Sequence, residues 1–363
     1  MKAELDRILE NNKIMIIDGS MSTPLERMGA DLNDELWTAK VLREQPELIK
    51  KVHKDYLKAG ADCGITASYQ ATIPGLMAKG MTEAEAEDLI AESVRVFLEA
   101  RDEWWKEEGE ATGREYPLCL ASVGPYGAYL ADGSEYRGRY AITDSELSHF
   151  HRRRLEVLRD AGADMYLIET IPSRREAVIV ADLAEEIGLP YWVSYSCMSG
   201  TKINEGDLIR DCVRELAAGG PSPASEGSAD SSKGRPGLKM VGANCTDPKF
   251  MVSLIGEIKA GLEDAARDLG FDEAAAADAA RDLGFDDAAA ADPRDISIAV
   301  YPNSGEKYDP HTKTWTRAGE GLAFGAYAFE YMKAGARAVG GCCTTVASHI
   351  EQVAEARKRF LGR

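Results

Sequence analysis

The chain has 363 residues, 44% of them hydrophobic and 29% charged, enough apolar material for one large barrel or two ordinary domains and too much for global disorder. Its 61 acids against 43 lysines and arginines leave a formal net charge of -18, which repels phosphate backbones and excludes nucleic acid as an expected partner. No apolar run is long enough to cross a bilayer, the acidic start MKAELDRILE lacks the stretch of an export signal, and an odd number of cysteines, seven, suits a reducing cytoplasmic setting better than a disulfide framework.

Apolar periodicity then alternates between strand and helix along the chain. Residues 13–18, KIMIID, read as a buried strand. A helix opens at Pro46, a favoured first-turn residue, and a second strand covers 61–68. Thr82 and Glu85 form a capping box for a long helix, followed by a third strand at 116–123. A helix from Asp144 leads to a fourth strand at 163–170. The next helix, 173–187, stops at Gly188, and a fifth strand covers 189–197. A helix over 205–217 precedes the sixth strand, 238–245. A helix from Pro248 to Lys259, a seventh strand at 295–303, a helix over 318–333, an eighth strand at 336–341 and a last helix over 344–360 complete the series. Three of the helix-to-strand connections share a near-repeat, KAGADCGI, DAGADMYLI and KAGARAVGG, in which a glycine ends the helix.

Eight such units predict an α/β fold of the (β/α)8, TIM-barrel type, with 1–363 as a single barrel. The doubly wound alternative wants a Gly-x-Gly-x-x-Gly turn after the first strand, and DGSMSTPL is not one. Two segments interrupt the series. Residues 219–237, rich in Gly, Ser and Pro, read as a flexible surface insertion. Residues 265–278 and 279–292 form a tandem repeat of fourteen residues that differs at one position. Its eight acids, two arginines and twelve alanines describe a solvated, partly helical insertion.

In a (β/α)8 barrel the working residues stand where strands end. Asp18 ends the first strand, Thr66 and Ser68 the second, Glu169 the fourth, Asn244 and Cys245 the sixth, and Gly340, Gly341, Cys342 and Cys343 the eighth. Three thiols and two carboxylates thus share one rim. Cys342 and Cys343 can take two corners of a zinc tetrahedron if the backbone turns sharply, a freedom expected of Gly340 and Gly341. Cys245 can supply the third corner, and an open fourth corner marks a catalytic zinc. Buried core thiols or a vicinal disulfide fit the same spacing. Cys63, Cys119 and Cys212 read as packing residues, and His53, His149 and His151 as outer-ring residues.

The segments IIDGSMSTPLERMG, DYLKAGADCGITASYQAT, ASVGPYGAYLADGSEYRG, LIETIPS, GANC, YPNSGEKYD and GGCCTT span nearly the whole chain. Together they resemble the homocysteine S-methyltransferases, in particular the zinc-dependent, cobalamin-independent type that uses S-methylmethionine. The resemblance implies methyl transfer from a sulfonium donor, S-methylmethionine or S-adenosylmethionine, to the thiolate of L-homocysteine, giving methionine. It implies zinc on Cys245, Cys342 and Cys343, and the homocysteine amino group on Asp18 and Glu169 with help from Gly19. Thr66, Ser68 and Asn244 are further substrate-side candidates. For the donor, Tyr126, Tyr129, Asp132 and Tyr136 lie in the loop after the third strand, and Asn303 and Glu306 follow the seventh. Aromatic faces attract a sulfonium as they attract an ammonium. A lyase or aldolase barrel would want a strand-end lysine or an acid cluster for Mg2+, and neither is obvious. A zinc-storage protein would not need the two carboxylates. With no arm after the last helix, a monomer or weak homodimer is expected.

Overall fold

A computed structural model describes residues 2–32, 38–219, 234–271, 292–309, 314–317 and 323–363. Eight short strands form one parallel sheet: β1 (Met15–Ile16), β2 (Cys63–Ile65), β3 (Leu118–Val123), β4 (Met165–Ile171), β5 (Tyr191–Tyr195), β6 (Leu238–Asn244), β7 (Ser297–Tyr301) and, after an antiparallel hairpin of β8 (Glu306–Asp309) and β9 (Thr314–Arg317), β10 (Ala338–Val339). The order β1-β10-β7-β6-β5-β4-β3-β2 follows the chain around a barrel, with helices outside. This is the expected (β/α)8 architecture.

Strand side chains alternate, and the alternation sorts two cores. Met15, Ile17, Cys63, Leu118, Leu120, Met165, Leu167, Trp192, Met240, Ala299, Tyr301 and Ala338 pack together inside the barrel. Their neighbours in sequence, such as Cys119, Ala121, Tyr166, Ile168, Val193, Val241 and Val300, join the larger core under the helices. The amphipathic N-terminus forms a helix, Lys2–Asn12, whose Leu5 and Ile8 pack with the interior residues and stop the lower end of the barrel.

The seam between β1 and β2 closes in a different way from the other seven junctions. No strand ladder joins them. The Asp62 N–H donates to the Ile16 carbonyl at 2.7 Å, and the Asp62 carboxylate accepts the Ile16 N–H at 2.8 Å. Higher on the seam, the Asp18 carboxylate accepts the Ile65 N–H at 2.8 Å. Asp62 is fully buried and is neutralised by Arg357 of the last helix, Ala347–Phe360, at 2.5 Å and by Arg114 at 3.6 Å. Two aspartates therefore do the work of a missing ladder.

The capping box at Thr82 and Glu85 and the left-handed stop at Gly188 are present as expected. Several boundaries differ. The helix expected to end at Lys259 is Met251–Asp268, because Leu262, Ala265 and Ala266 are buried and Asp264 and Asp268 pair with Arg210 and Arg214 of the neighbouring helix Ile209–Ala218. The first residues of the tandem repeat are thus part of the barrel wall. Likewise Arg235, inside the segment expected to be flexible, is buried against Asp182 at 2.6 Å. The remainder of those two expectations, 220–233 and 272–291, lies outside the described residues. Among the described residues no helix is long and apolar enough to cross a membrane.

His53 sits on the helix Pro46–Ala59, edge-on to Phe97, with both ring nitrogens buried and unpartnered. Burial pushes its pKa down to about 3, so it folds neutral. In the unfolded chain it takes up a proton near the ordinary value of about 6.5. Between those values the unfolded state binds more protons, so stability falls as pH falls. His53→Leu should flatten that acid limb by up to about 1.4 kcal/mol per pH unit, measured by urea unfolding between pH 6 and 4. An unchanged slope would contradict the neutral assignment.

Asp62→Asn should cost about 3–5 kcal/mol, since it leaves two largely buried guanidiniums without an anion. Urea unfolding at neutral pH checks this, and a loss under about 1 kcal/mol would show that the seam is held elsewhere.

Candidate active site

Parity carries polar side chains to the barrel mouth. β3 directs Leu118 and Leu120 inward, so Ser122 follows them; β4 does the same for Glu169 after Met165 and Leu167, and β6 for Asn244 after Met240. The Ser122 hydroxyl donates to Glu169 at 2.5 Å, and the Asn244 amide reaches Glu169 at 3.5 Å. Beyond β10, Cys342 packs against the same interior cluster.

The sulfurs of Cys245, Cys342 and Cys343 lie within 4.8 Å of one another, with 3.5 Å between Cys245 and Cys343. Three sulfurs placed about 2.3 Å from a tetrahedral zinc stand about 3.8 Å apart, so the spacing suits that ion. Backbone strain puts them there. Thr170, Cys245 and Thr344 have φ of 60°, 48° and 64°, left-handed values that cost a non-glycine residue about 1–3 kcal/mol. Asn244 holds the first of these, accepting the Thr170 N–H at 2.9 Å and donating to its hydroxyl at 2.8 Å. Thr344 is held by Ser304 at 2.6 Å.

The glycines before the cysteines act differently from the expectation. Neither Gly340 nor Gly341 has a positive φ. They provide room: a Cβ on Gly340 would stand 2.5 Å from that of Ile17, and one on Gly341 2.5 Å from the Thr345 hydroxyl. The sharp turn is taken by the cysteine of β6 and the threonine after Cys343.

The electrostatics of the mouth call for a cation. Hydrogen bonds from Cys342 and Cys343 hold the Cys245 thiol well down, and donating those bonds, together with burial and the charge of Cys245, pushes Cys342 and Cys343 well up. Burial raises Asp18 well above the ordinary carboxyl range, reinforced by Glu169 and Cys342 and opposed by the Ile65 N–H. Burial, then the charge of Cys342, pushes Glu169 up to about 8. Among the described residues, no lysine or arginine is a leading influence on Asp18, Glu169 or Cys245. One Asp18 oxygen and the Asn303 side-chain oxygen are buried with no partner. Three soft thiol donors fit a zinc, which would hold all three as thiolates.

The remaining expected residues divide. Gly19 lies where a Cβ would stand 2.8 Å from the Tyr56 ring, so its loop packs flat on that side chain. The hydroxyls of Thr66 and Ser68 bond each other at 2.7 Å and tie β2 to the backbone of Ser122. They support the Ser122–Glu169 contact. Tyr126 and Tyr129 pack on Phe150, and Asp132 caps the turn at Ser134. In that loop it is Tyr136 that meets the thiols, its hydroxyl 3.2 Å from the Cys245 sulfur. Asn303 stands beside them, its N–H bonded to Thr246 and its neighbour Ser304 to the Cys343 carbonyl. The Glu306 side chain lies outside the described residues. Sequence reasoning missed Ser122 and Thr170. The parity of β3 was a usable signal for the first; nothing local marks the second.

Three clustered thiols at the C-terminal mouth of a (β/α)8 barrel, with two buried acids beside them, are the arrangement of a metal-dependent barrel enzyme. The model of the homocysteine S-methyltransferase family matches residues 15–357. Homocysteine S-methyltransferase YbgG of Bacillus subtilis (strain 168) is 42% identical over 357 residues, covering 96% of both chains. Homocysteine S-methyltransferase 1 of Zea mays is 41% identical over 356 residues, covering 96% of this chain and 95% of its own. The crystal structure of the homocysteine methyltransferase MmuM from Escherichia coli in its metallated form superposes with a TM-score of 0.74 at 34% identity, covering 96% of this chain and 98% of that one. The chain belongs to the homocysteine S-methyltransferase family, and it is a methyltransferase with a zinc site of Cys245, Cys342 and Cys343.

Purified protein should carry close to one zinc per chain. Cys245→Ser, Cys342→Ser and Cys343→Ser should each lose most of it, while Cys197→Ser, whose thiol lies outside the cluster and bonds the Tyr195 carbonyl, should retain it. Metal analysis after gel filtration checks this, and full occupancy in any two of the three cluster variants would contradict the assignment.

Proposed function

We propose that this enzyme methylates homocysteine with S-methylmethionine as the preferred sulfonium donor, and that Asp18 and Glu169 hold the homocysteine ammonium. The observation that carries the substrate side is the pair of buried carboxyls with no basic partner among the described residues. An ammonium between them would restore both to carboxylates and form charge-assisted hydrogen bonds. The free Asp18 oxygen is the acceptor best placed for it, because the other is occupied by Ile65. Ser122 and Asn244 keep Glu169 oriented toward the same point.

A zinc held by Cys245, Cys342 and Cys343 would lower the pKa of a coordinating thiol, so that homocysteine would lose its proton to solvent and be available as a thiolate nucleophile near neutral pH. Its lone pair attacks the methyl carbon while the donor's carbon–sulfur bond returns its pair to the sulfonium sulfur. The protein supplies alignment for that displacement and a mouth from which water is largely excluded. Support for a compact donor comes from Tyr69 and Tyr136. Tyr136 reaches Cys245, and the Tyr69 hydroxyl is held well up by burial and then by the charges of Glu135, Cys245 and Glu169. With Tyr136 so close to the thiols, we read the site as favouring a small sulfonium over one that carries an adenosine, and aromatic faces attract such a charge.

Assayed for methionine formation, the zinc-loaded enzyme should show a kcat/KM roughly tenfold or more higher with S-methylmethionine than with S-adenosylmethionine. Equal or reversed values would overturn the donor assignment. Glu169→Gln and Asp18→Asn should keep zinc and lower kcat/KM for homocysteine by about 10- to 150-fold, the scale of one charge-assisted hydrogen bond. Unchanged kinetics in both would remove the carboxyls from the substrate site.

A further inference from the structure

Behind the rim, between the barrel and its outer helices, lies a buried charged group that neither the metal site nor the core accounts for. Arg154 and His151 stand on the helix Asp144–Asp160, and Glu176 on the helix Arg174–Ile187; all three are buried. The Arg154 guanidinium donates to the Gly124 carbonyl and to His151 Nδ1, each at 2.8 Å. His151 Nε2 meets Glu176 Oε1 at 2.9 Å, and the same oxygen accepts the Tyr126 N–H at 2.6 Å. A guanidinium only donates, so Nδ1 accepts and the ring proton sits on Nε2, facing Glu176. The imidazole is neutral, its proton affinity lowered chiefly by burial. It bridges a cation and an anion.

Apolar residues of the same volume would fill this space at no loss of stability, and often with a gain. The charged group differs from them in aiming hydrogen bonds at main-chain positions, and Gly124 and Tyr126 open the segment that follows β3. The far end of that segment is also pinned. Glu205 accepts the Arg139 N–H at 2.6 Å, and Ser196 donates to the Glu135 carbonyl at 3.5 Å. Between the pins stands Tyr136, its hydroxyl 3.2 Å from Cys245. The loop is short on regular structure, with one helix at Tyr126–Leu130 and a single turn at Ser134–Tyr136. Apart from these pins, the packing of Tyr126 and Tyr129 on Phe150 anchors its first turn, ahead of Tyr136.

We propose that Glu176, acting with His151 and Arg154, is the positioning residue of the loop 124–140, and that it sets the affinity for the methyl donor from behind the site. The proposal rests on the reading that this loop faces the donor. The test uses the full-length, zinc-loaded enzyme with Glu176→Gln and Glu176→Ala. Hydrogen exchange of residues 124–140 should accelerate about threefold in the first, whose amide oxygen can still accept from Tyr126, and more than about tenfold in the second. KM for S-methylmethionine should rise in the same order, while KM for homocysteine and zinc content stay within about twofold of wild type. Unchanged exchange in a folded variant overturns the clamp. Faster exchange with an unchanged donor KM overturns the positioning role and locates the failure in the donor-facing reading of the loop. Failure of both variants to fold would assign the group to stability and overturn the proposal as well.

Discussion

Asp18, Glu169 and the thiols of Cys245, Cys342 and Cys343 crowd acidic protons into a mouth where, among the described residues, no lysine or arginine is a leading influence on Asp18, Glu169 or Cys245. Ionised together and without counter-ions, they would repel one another at low dielectric. The rest of the site follows from that conflict. Soft sulfur donors on one side suit a metal, and in the function proposed above the two carboxyls on the other take an ammonium. A ligand with a thiol at one end and an amino group at the other meets both demands at once, and homocysteine is such a molecule.

Holding these groups together requires rigid support, which the strands supply through alternation and the loops through pinned backbone. Left-handed threonines and a left-handed cysteine bend the chain at the rim, and Asn244 and Ser304 keep two of those bends in place. Strain of this kind persists only where neighbours over-determine it. The glycines before Cys342 contribute by being small, which lets the strand lie against Ile17 and Thr345.

Much of this was legible in the residues. The alternation of apolar strand and amphipathic helix revealed the barrel, and strand-end chemistry together with family resemblance singled out the thiols, Asp18 and Glu169. What stayed hidden was non-local. No pattern near Arg154 or Glu176 announces that they meet, since they stand on neighbouring helices and are joined by a histidine that reads as an ordinary outer-ring residue. Tyr126 and Tyr129 look like a cation-binding face in sequence, yet they pack against Phe150, because the loop folds back onto its own following helix. The repeat at 265 hid the true end of a barrel helix, since alanine-rich sequence suits a buried wall and a solvated segment equally.

Asp18 joins two tasks that are usually kept apart. One oxygen stitches the first strand to the second across the barrel's unladdered seam, and the other, buried without a partner, is the one the proposed function gives to the substrate. Whatever replaces this side chain must still reach the Ile65 amide, so the range of residues open to evolution or to an engineer is narrow. Redirecting the pocket toward a thiol without an amino group is therefore a problem of architecture as well as of recognition. The practical route would first give the seam an independent fastening lower down, near Asp62, and only then release position 18 to be rewritten.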